Sequence, residues 1–206
     1  MKPRDALDLL DYRRRVADLY HHVRASGADR AAWDRWREER DQLFATHPQS
    51  PFGDESRQSF EGLDYFAYDP AFRVTAALER RDEQTFQIAH SSDGSTTARR
   101  IGALRFDLSG TECHLSVFWL EQYGGGLFLP FRDATCGEGT YGGGRYLLDT
   151  AKSADLGATE DGALILDFNF AYHPSCFHDP RWSCPLAPPE NALAVAVTAG
   201  EREAPE

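Results

Sequence analysis

From Phe72 onward the chain alternates with a period of two, and tight turn signals punctuate the alternation. The runs FRVTAALER, TFQIAH, ARRIGALRFDLSG, CHLSVFWLE, GLFLPFRD, RYLLD, ALILDFNFAY and ALAVAVTAG are β-type in composition, with Ser92-Asp93-Gly94, Ser109-Gly110, Gly124-Gly125-Gly126 and Glu160-Asp161-Gly162 between them. Strands joined by connections this short pair antiparallel, because a parallel pair needs a longer crossover, usually a helix. The pattern predicts a mainly β, α+β fold: an antiparallel β-barrel or sandwich of about eight strands.

Two helical segments precede these runs. Leu9, Tyr12, Val16, Leu19 and Val23 recur at three- and four-residue spacing, and Gly27 is a plausible stop. A second stripe starts at Asp29, a candidate N-cap, and passes through Trp33, Trp36, Leu43 and Phe44 to end before Pro48. Each has one apolar face, so the two N-terminal helices should pack on the β-structure or on each other. The predicted organisation is an extra N-terminal helix over 1–28, a single β-rich domain over 29–202, and a disordered tail over 203–206.

The net charge of −11 argues against nucleic acid or an anionic membrane as partner. No apolar run approaches the ~20 residues of a bilayer span. The opening MKPRDALDLLDYRRR is charged throughout and shows no export signal, so a cytoplasmic protein is expected. In that setting Cys113, Cys136, Cys176 and Cys184 should be thiols, metal ligands or a nucleophile rather than disulfides.

CGEGTYGGGRY contains a literal G-x-G-x-x-G at Gly137, Gly139 and Gly142. A dinucleotide loop needs a helix after the glycines, whose amides meet the pyrophosphate. Here three adjacent glycines lead into the short apolar run RYLLD, and glycine costs a helix about 1 kcal/mol per residue relative to alanine. The stretch is therefore expected to be a strand–loop–strand connection, and no cofactor is implied. Polar groups crowd around it: Arg132, Asp133, Thr135, Cys136, Thr140, Tyr141 and Arg145.

A second polar cluster lies downstream. Strict alternation in ALILDFNFAY would place Asp167 and Asn169 on one face, able to meet a guanidinium such as Arg132 or Arg145. In HPSCFHDPRWSCPLAPPEN, His173, Cys176, His178 and Cys184 are weak metal candidates, because their spacing matches no common zinc motif. Cys136 or Cys176 beside an imidazole would alternatively be a nucleophile, and the plain alternative is buried thiols in a proline-stiffened loop.

Over about residues 33 to 202 the chain resembles the family grouped as domain of unknown function 1684. The resemblance is carried by HPQSPF (47–52), FEGLDYF (60–66), PFRDATCGEGTYGGGRYLLD (130–149), LDFNFAYHPSC (166–176), CPLAPPENAL (184–193) and AGER (199–202). It implies that Arg132, Asp133, Tyr141, Gly144, Arg145, Tyr146, Asp167, Asn169, Cys176, Cys184, Glu190 and Asn191 belong to the pattern, without an established activity. It also implies that asparagine is usual at the position of His173, and a small residue such as serine at Cys136.

The expected function is binding of a small, anionic molecule in a pocket at one end of the β-structure, with acid/base chemistry on it. Asp167, Arg132 and Tyr141 are the expected catalytic residues. Arg145, Asn169, Asp133, Tyr146, Glu190 and Asn191 are the expected ligand-binding ones. Two alternatives stay open: a non-catalytic module that dimerises through the N-terminal helices at Trp33 and Trp36, and a metalloprotein using the 173–184 loop.

Overall fold

The computed structural model describes residues 2–27, 29–121 and 123–204. The first stripe becomes α1 (Pro3–Ala25) and the second α2 (Arg30–Thr46). Asp29 caps α2 as its sequence position suggests, its Oδ1 accepting from the Ala32 amide at 2.9 Å. Two shorter helices follow, α3 (Asp54–Gln58) and α4 (Ser175–His178).

The strands are β1 (Arg73–Ala76), β2 (Leu78–Glu79), β3 (Gln84–Ala89), β4 (Ser95–Leu108), β5 (Thr111–Leu120), β6 (Leu127–Phe131), β7 (Arg145–Asp149) and β8 (Leu164–Asp167). All pair antiparallel. Six form one sheet in the order β2-β4-β5-β6-β7, with β3 also on β4, and β1 and β8 form a second sheet of two. The large sheet does not close, so the barrel alternative gives way to two open antiparallel sheets. The β4–β5 hairpin turns on Ser109 (φ 55°) and Gly110 (φ 80°), the pair of positive angles a two-residue I′ turn requires.

Three expected runs behave differently. FRVTAALER divides between β1 and β2. ALILDFNFAY stops being a strand at Asp167, where a 3-10 turn spans Phe168–Phe170. ALAVAVTAG forms no strand; its carbonyls at Val197 and Ala199, with that of Glu201, accept from the Arg145 guanidinium instead of from a sheet neighbour. A buried side-chain donor has replaced a strand, which alternation alone does not distinguish.

The helices belong to the same core as the strands. Leu19, Tyr20 and Val23 of α1 and both tryptophans of α2 pack with Phe168 and Phe170. Trp33 and Trp36 are each 1% exposed. Trp33 donates its Nε1–H to the Asn169 carbonyl at 2.8 Å, and the Trp36 ring meets Phe170 edge-on. Neither indole is available to a second copy. Of the expected tail, residues 205 and 206 lie outside the described residues, while the Glu203 amide donates to the Gly139 carbonyl. Ala28, at the end of the expected N-terminal addition, is also outside them. No helix among the described residues is long and apolar enough to cross a membrane.

Candidate functional site

On α1, Leu9, Tyr12, Arg13, Val16, Leu19 and Tyr20 share one face through i+3 and i+4 spacing. On α2 the same spacing aligns Trp36, Arg40, Leu43 and Phe44. Both stripes line one cavity. With the turn after β7 and the segments 172–175 and 182–184, they enclose a volume of about 400 Å³. Its far wall is held in place by Trp182, whose Nε1–H donates to the Pro51 carbonyl at 2.8 Å. Arg181 beside it donates to the carbonyls of Ser50 and Phe52.

The lining is aromatic and aliphatic apart from a few polar groups. Three of these are cations, Arg13, Arg40 and Lys152, and among the described residues no carboxylate lines the cavity. In a chain of net charge −11 this is a local inversion of sign. Lys152 sits 3.2 Å from Asp149 with its side chain 61% exposed where it borders the cavity. An ammonium carries three donors, so the Asp149 contact leaves others free to reach a ligand. The protein around it pushes the Lys152 ammonium down, Asp149 more than offsets this, and Arg13 lies close enough to oppose it. Arg13 and Lys152 both border the cavity.

Arg40 is differently placed. Its guanidinium is buried 2.8 Å from Glu201, donates to the Tyr65 hydroxyl at 2.6 Å, and lies over the rings of Trp36, Phe44 and Tyr172. Glu201 also faces His173 Nδ1 at 3.4 Å and His178 Nε2 at 3.2 Å, neither in good hydrogen-bond alignment. Burial pushes the Glu201 carboxyl up, but Arg40 and then the imidazoles outweigh it and hold it well below the usual range. Burial also holds the His173 imidazole below its ordinary value, against the pull of Glu201. Its Nε2 accepts the Tyr141 amide at 3.2 Å, so the ring is neutral with its proton on Nδ1, toward Glu201.

The expected site residues do not gather at this cavity; of those given binding or catalytic roles, only Tyr146 lines it, its hydroxyl donating to the Pro185 carbonyl. Arg145 is fully buried: it meets Asp133 at 3.2 Å and spans the carbonyls of Val197, Ala199 and Glu201. Burial lowers it and Asp133 opposes that. Asp133 in turn accepts from the Val197 amide at 2.7 Å and from Thr135. Asp167 caps the 3-10 turn, accepting from the Asn169 amide at 3.1 Å and side chain at 2.8 Å, with Arg73 at 3.2 Å. Burial raises its carboxyl against those donors. Asn169 also exchanges hydrogen bonds with the Asp69 backbone. Asp167 and Asn169 therefore meet each other and Arg73, not Arg132 or Arg145.

Asn191 is a backbone clamp: Oδ1 accepts the Ser116 amide, and Nδ2 donates to the carbonyls of Ser116 and Pro130. Arg132 and Glu190 are exposed. Tyr141 is half-buried, its hydroxyl 4.0 Å from Cys176 Sγ. The Gly-rich stretch is a loop closed on itself between Thr135 and Thr140, and a strand, β7, follows it.

Of the weak metal candidates, His173 and Cys184 line the cavity, His173 and His178 face Glu201, and Cys176 touches Cys184. Among the described residues, no three His, Cys, Asp or Glu side chains are grouped to hold a metal ion.

Arg13, Arg40 and Lys152 were not singled out as site residues by their sequence pattern. Arg13 sits in the basic run Arg13-Arg14-Arg15, which has the look of a solvated helix face. The available signal was Lys152, one of only two lysines in the chain.

A comparison with curated proteins finds no match. Among solved structures the chain is similar to the solution NMR structure of an uncharacterized protein from gene locus rrnAC0354 of Haloarcula marismortui. That protein is 37% identical, with a TM-score of 0.61, over 84% of this chain and 93% of the other. Residues 58–202 match the model described as "Protein of unknown function (DUF1684)", and the chain belongs to that family.

Proposed function

We propose that the protein binds a small amphipathic anion, a carboxylate or phosphate on an apolar body, in the cavity between α1, α2 and the 172–184 segment. What supports this most is the lining itself: apolar walls, three cations and, among the described residues, no acid, in an otherwise acidic protein. The volume of about 400 Å³ falls in the range of small-molecule sites. Because Glu201 balances the buried Arg40, while Asp149 engages only one donor of the exposed Lys152 ammonium, the head group is assigned to Arg13 and the remaining Lys152 donors, and the Arg40–aromatic wall takes the apolar body. Binding is favoured over acid/base turnover. His173, the imidazole at the cavity, has Nε2 occupied by the Tyr141 amide and Nδ1 turned toward Glu201.

Calorimetric titration with decanoate and 2-naphthoate, against decanol and 2-naphthol, tests the assignment. Saturable binding of the carboxylates, weakened as salt rises, is expected. Equal affinity for the neutral alcohols, or no binding by any of the four, would refute it.

A further inference from the structure

Cys176 and Cys184 lie eight positions apart and touch: the Cys176 amide donates to Cys184 Sγ at 3.4 Å. Cys176 Sγ also lies 4.0 Å from the Tyr141 hydroxyl, and the Ser91 hydroxyl accepts from the Cys184 amide at 3.2 Å. Cys176 is half-buried at the start of α4, and Cys184 borders the cavity. Two thiols and two hydroxyls are thus gathered where α4 begins, with the Cys184 sulfur within hydrogen-bond reach of the Cys176 backbone.

We propose that Cys176 and Cys184 form a redox pair, in which Cys176 reacts with a hydroperoxide and Cys184 closes the product into an intramolecular disulfide. In the first step the Cys176 thiolate attacks the peroxide oxygen. The O–O bond breaks, Cys176 becomes a sulfenic acid, and the departing alkoxide or hydroxide takes up a proton. In the second, Cys184 sulfur attacks the sulfenic sulfur, and the hydroxyl leaves as water with the Cys184 proton. One peroxide is reduced and two thiols are oxidised.

The protonation states suit these roles. The Cys184 hydrogen bond lowers the Cys176 thiol, with Ser91 and Tyr141 adding to it against burial, while the same Cys184–Cys176 hydrogen bond raises Cys184. Burial raises the Tyr141 hydroxyl, so it stays protonated beside the sulfur. The disulfide would tie α4 to the Trp182–Cys184 wall, so the oxidation state of the pair reaches the cavity without sharing its ligand.

The test is peptide mapping of the wild-type chain after treatment with a few equivalents of hydrogen peroxide, which requires no variant to fold. The expected product is a Cys176–Cys184 cross-link with two of the four thiols lost, Cys113 and Cys136 still alkylatable, and full reversal by dithiothreitol. In Cys184→Ser, dimedone should trap a sulfenic acid at Cys176. In the wild-type chain, iodoacetamide labelling of Cys176 should have its pH midpoint at least one unit below the ~8.5 of an ordinary thiol. First oxidation at Cys113 or Cys136, a predominantly intermolecular disulfide, or a Cys176 midpoint near 8.5 would overturn the proposal.

Discussion

Glu201 stands 2.8 Å from Arg40, joining the segment after Gly200 to α2, with the two side chains only 1% and 8% exposed. Neither charge has water to fall back on. Removing one partner of such a pair leaves a buried charge uncompensated, at about 3–5 kcal/mol. Glu201→Gln should lose stability of that order in urea unfolding with the slope m unchanged. A loss below about 1 kcal/mol would mean that Arg40 finds another counter-charge or water.

The pH dependence should show two windows of the same sign. The Glu201 carboxyl is held low in the fold, so its contribution is present above the unfolded carboxyl range of about 4.3 and is lost as pH falls through the folded value. His173 is also held low. Below about pH 6.5 the unfolded chain takes up a proton that the folded chain refuses, and stability again falls with pH. Thermal melts should therefore show Tm declining below about pH 6.5 and again below about pH 4.5. His173→Gln should flatten the upper decline and leave the lower one. An unchanged upper decline in that variant would place its source elsewhere.

Asn191→Ala should act on stability. Its side chain satisfies the Ser116 amide and the carbonyls of Ser116 and Pro130, all without access to water. Leaving such groups unpaired costs about 1–3 kcal/mol each, so a total above about 3 kcal/mol is expected in chemical unfolding. An Asn191→Ala protein of native stability but weakened ligand binding would instead restore a binding role to this residue.

Lys152→Met should do the reverse. Its side chain borders the cavity and makes one partly exposed ion pair, so stability should move by no more than about 0.5 kcal/mol. Loss of a charge-assisted contact to the ligand head group should weaken carboxylate binding about tenfold or more. Calorimetry on the variant checks both the affinity and whether discrimination against the neutral alcohol disappears.

Gly144 has φ +91°, and a Cβ there would lie 2.5 Å from the Phe131 carbonyl oxygen and 2.8 Å from the Ala187 Cβ. Gly144→Ala combines a left-handed backbone with a clash against main chain, and a loss above about 2 kcal/mol is expected. A near-native melting curve would show that β6 and the 187 segment can separate there.

The helices and most strands were legible because their signals are local. The α1 stripe, the Asp29 cap and the Ser109-Gly110 turn each depend on residues within a few positions of one another, and each took the expected form. The Gly-rich stretch was also legible as a strand–loop–strand connection, with β6 before it and β7 after it. ALAVAVTAG misled because an apolar, β-branched run records burial rather than pairing. Its carbonyls are satisfied by Arg145, a donor whose direction no period encodes.

Residue chemistry around the 132–145 and 167–191 segments correctly marked dense hydrogen bonding, but the face on which those groups lie was a tertiary matter. Alternation at Asp167 ended in a 3-10 turn, which folded its carboxyl back on Asn169. The sequence by itself determined the two long helices, most of the strands, the turns between them and the family to which the chain belongs, because these follow from near-neighbour sterics and ordered motifs. Only the tertiary structure decided that Arg145, Asp167 and Asn191 satisfy the backbone while Arg13 and Lys152 face a cavity. The side chains and backbone groups that meet at those places are brought together by packing across distant elements, and a charged side chain has the same local pattern whether it ends in a buried network or in open space.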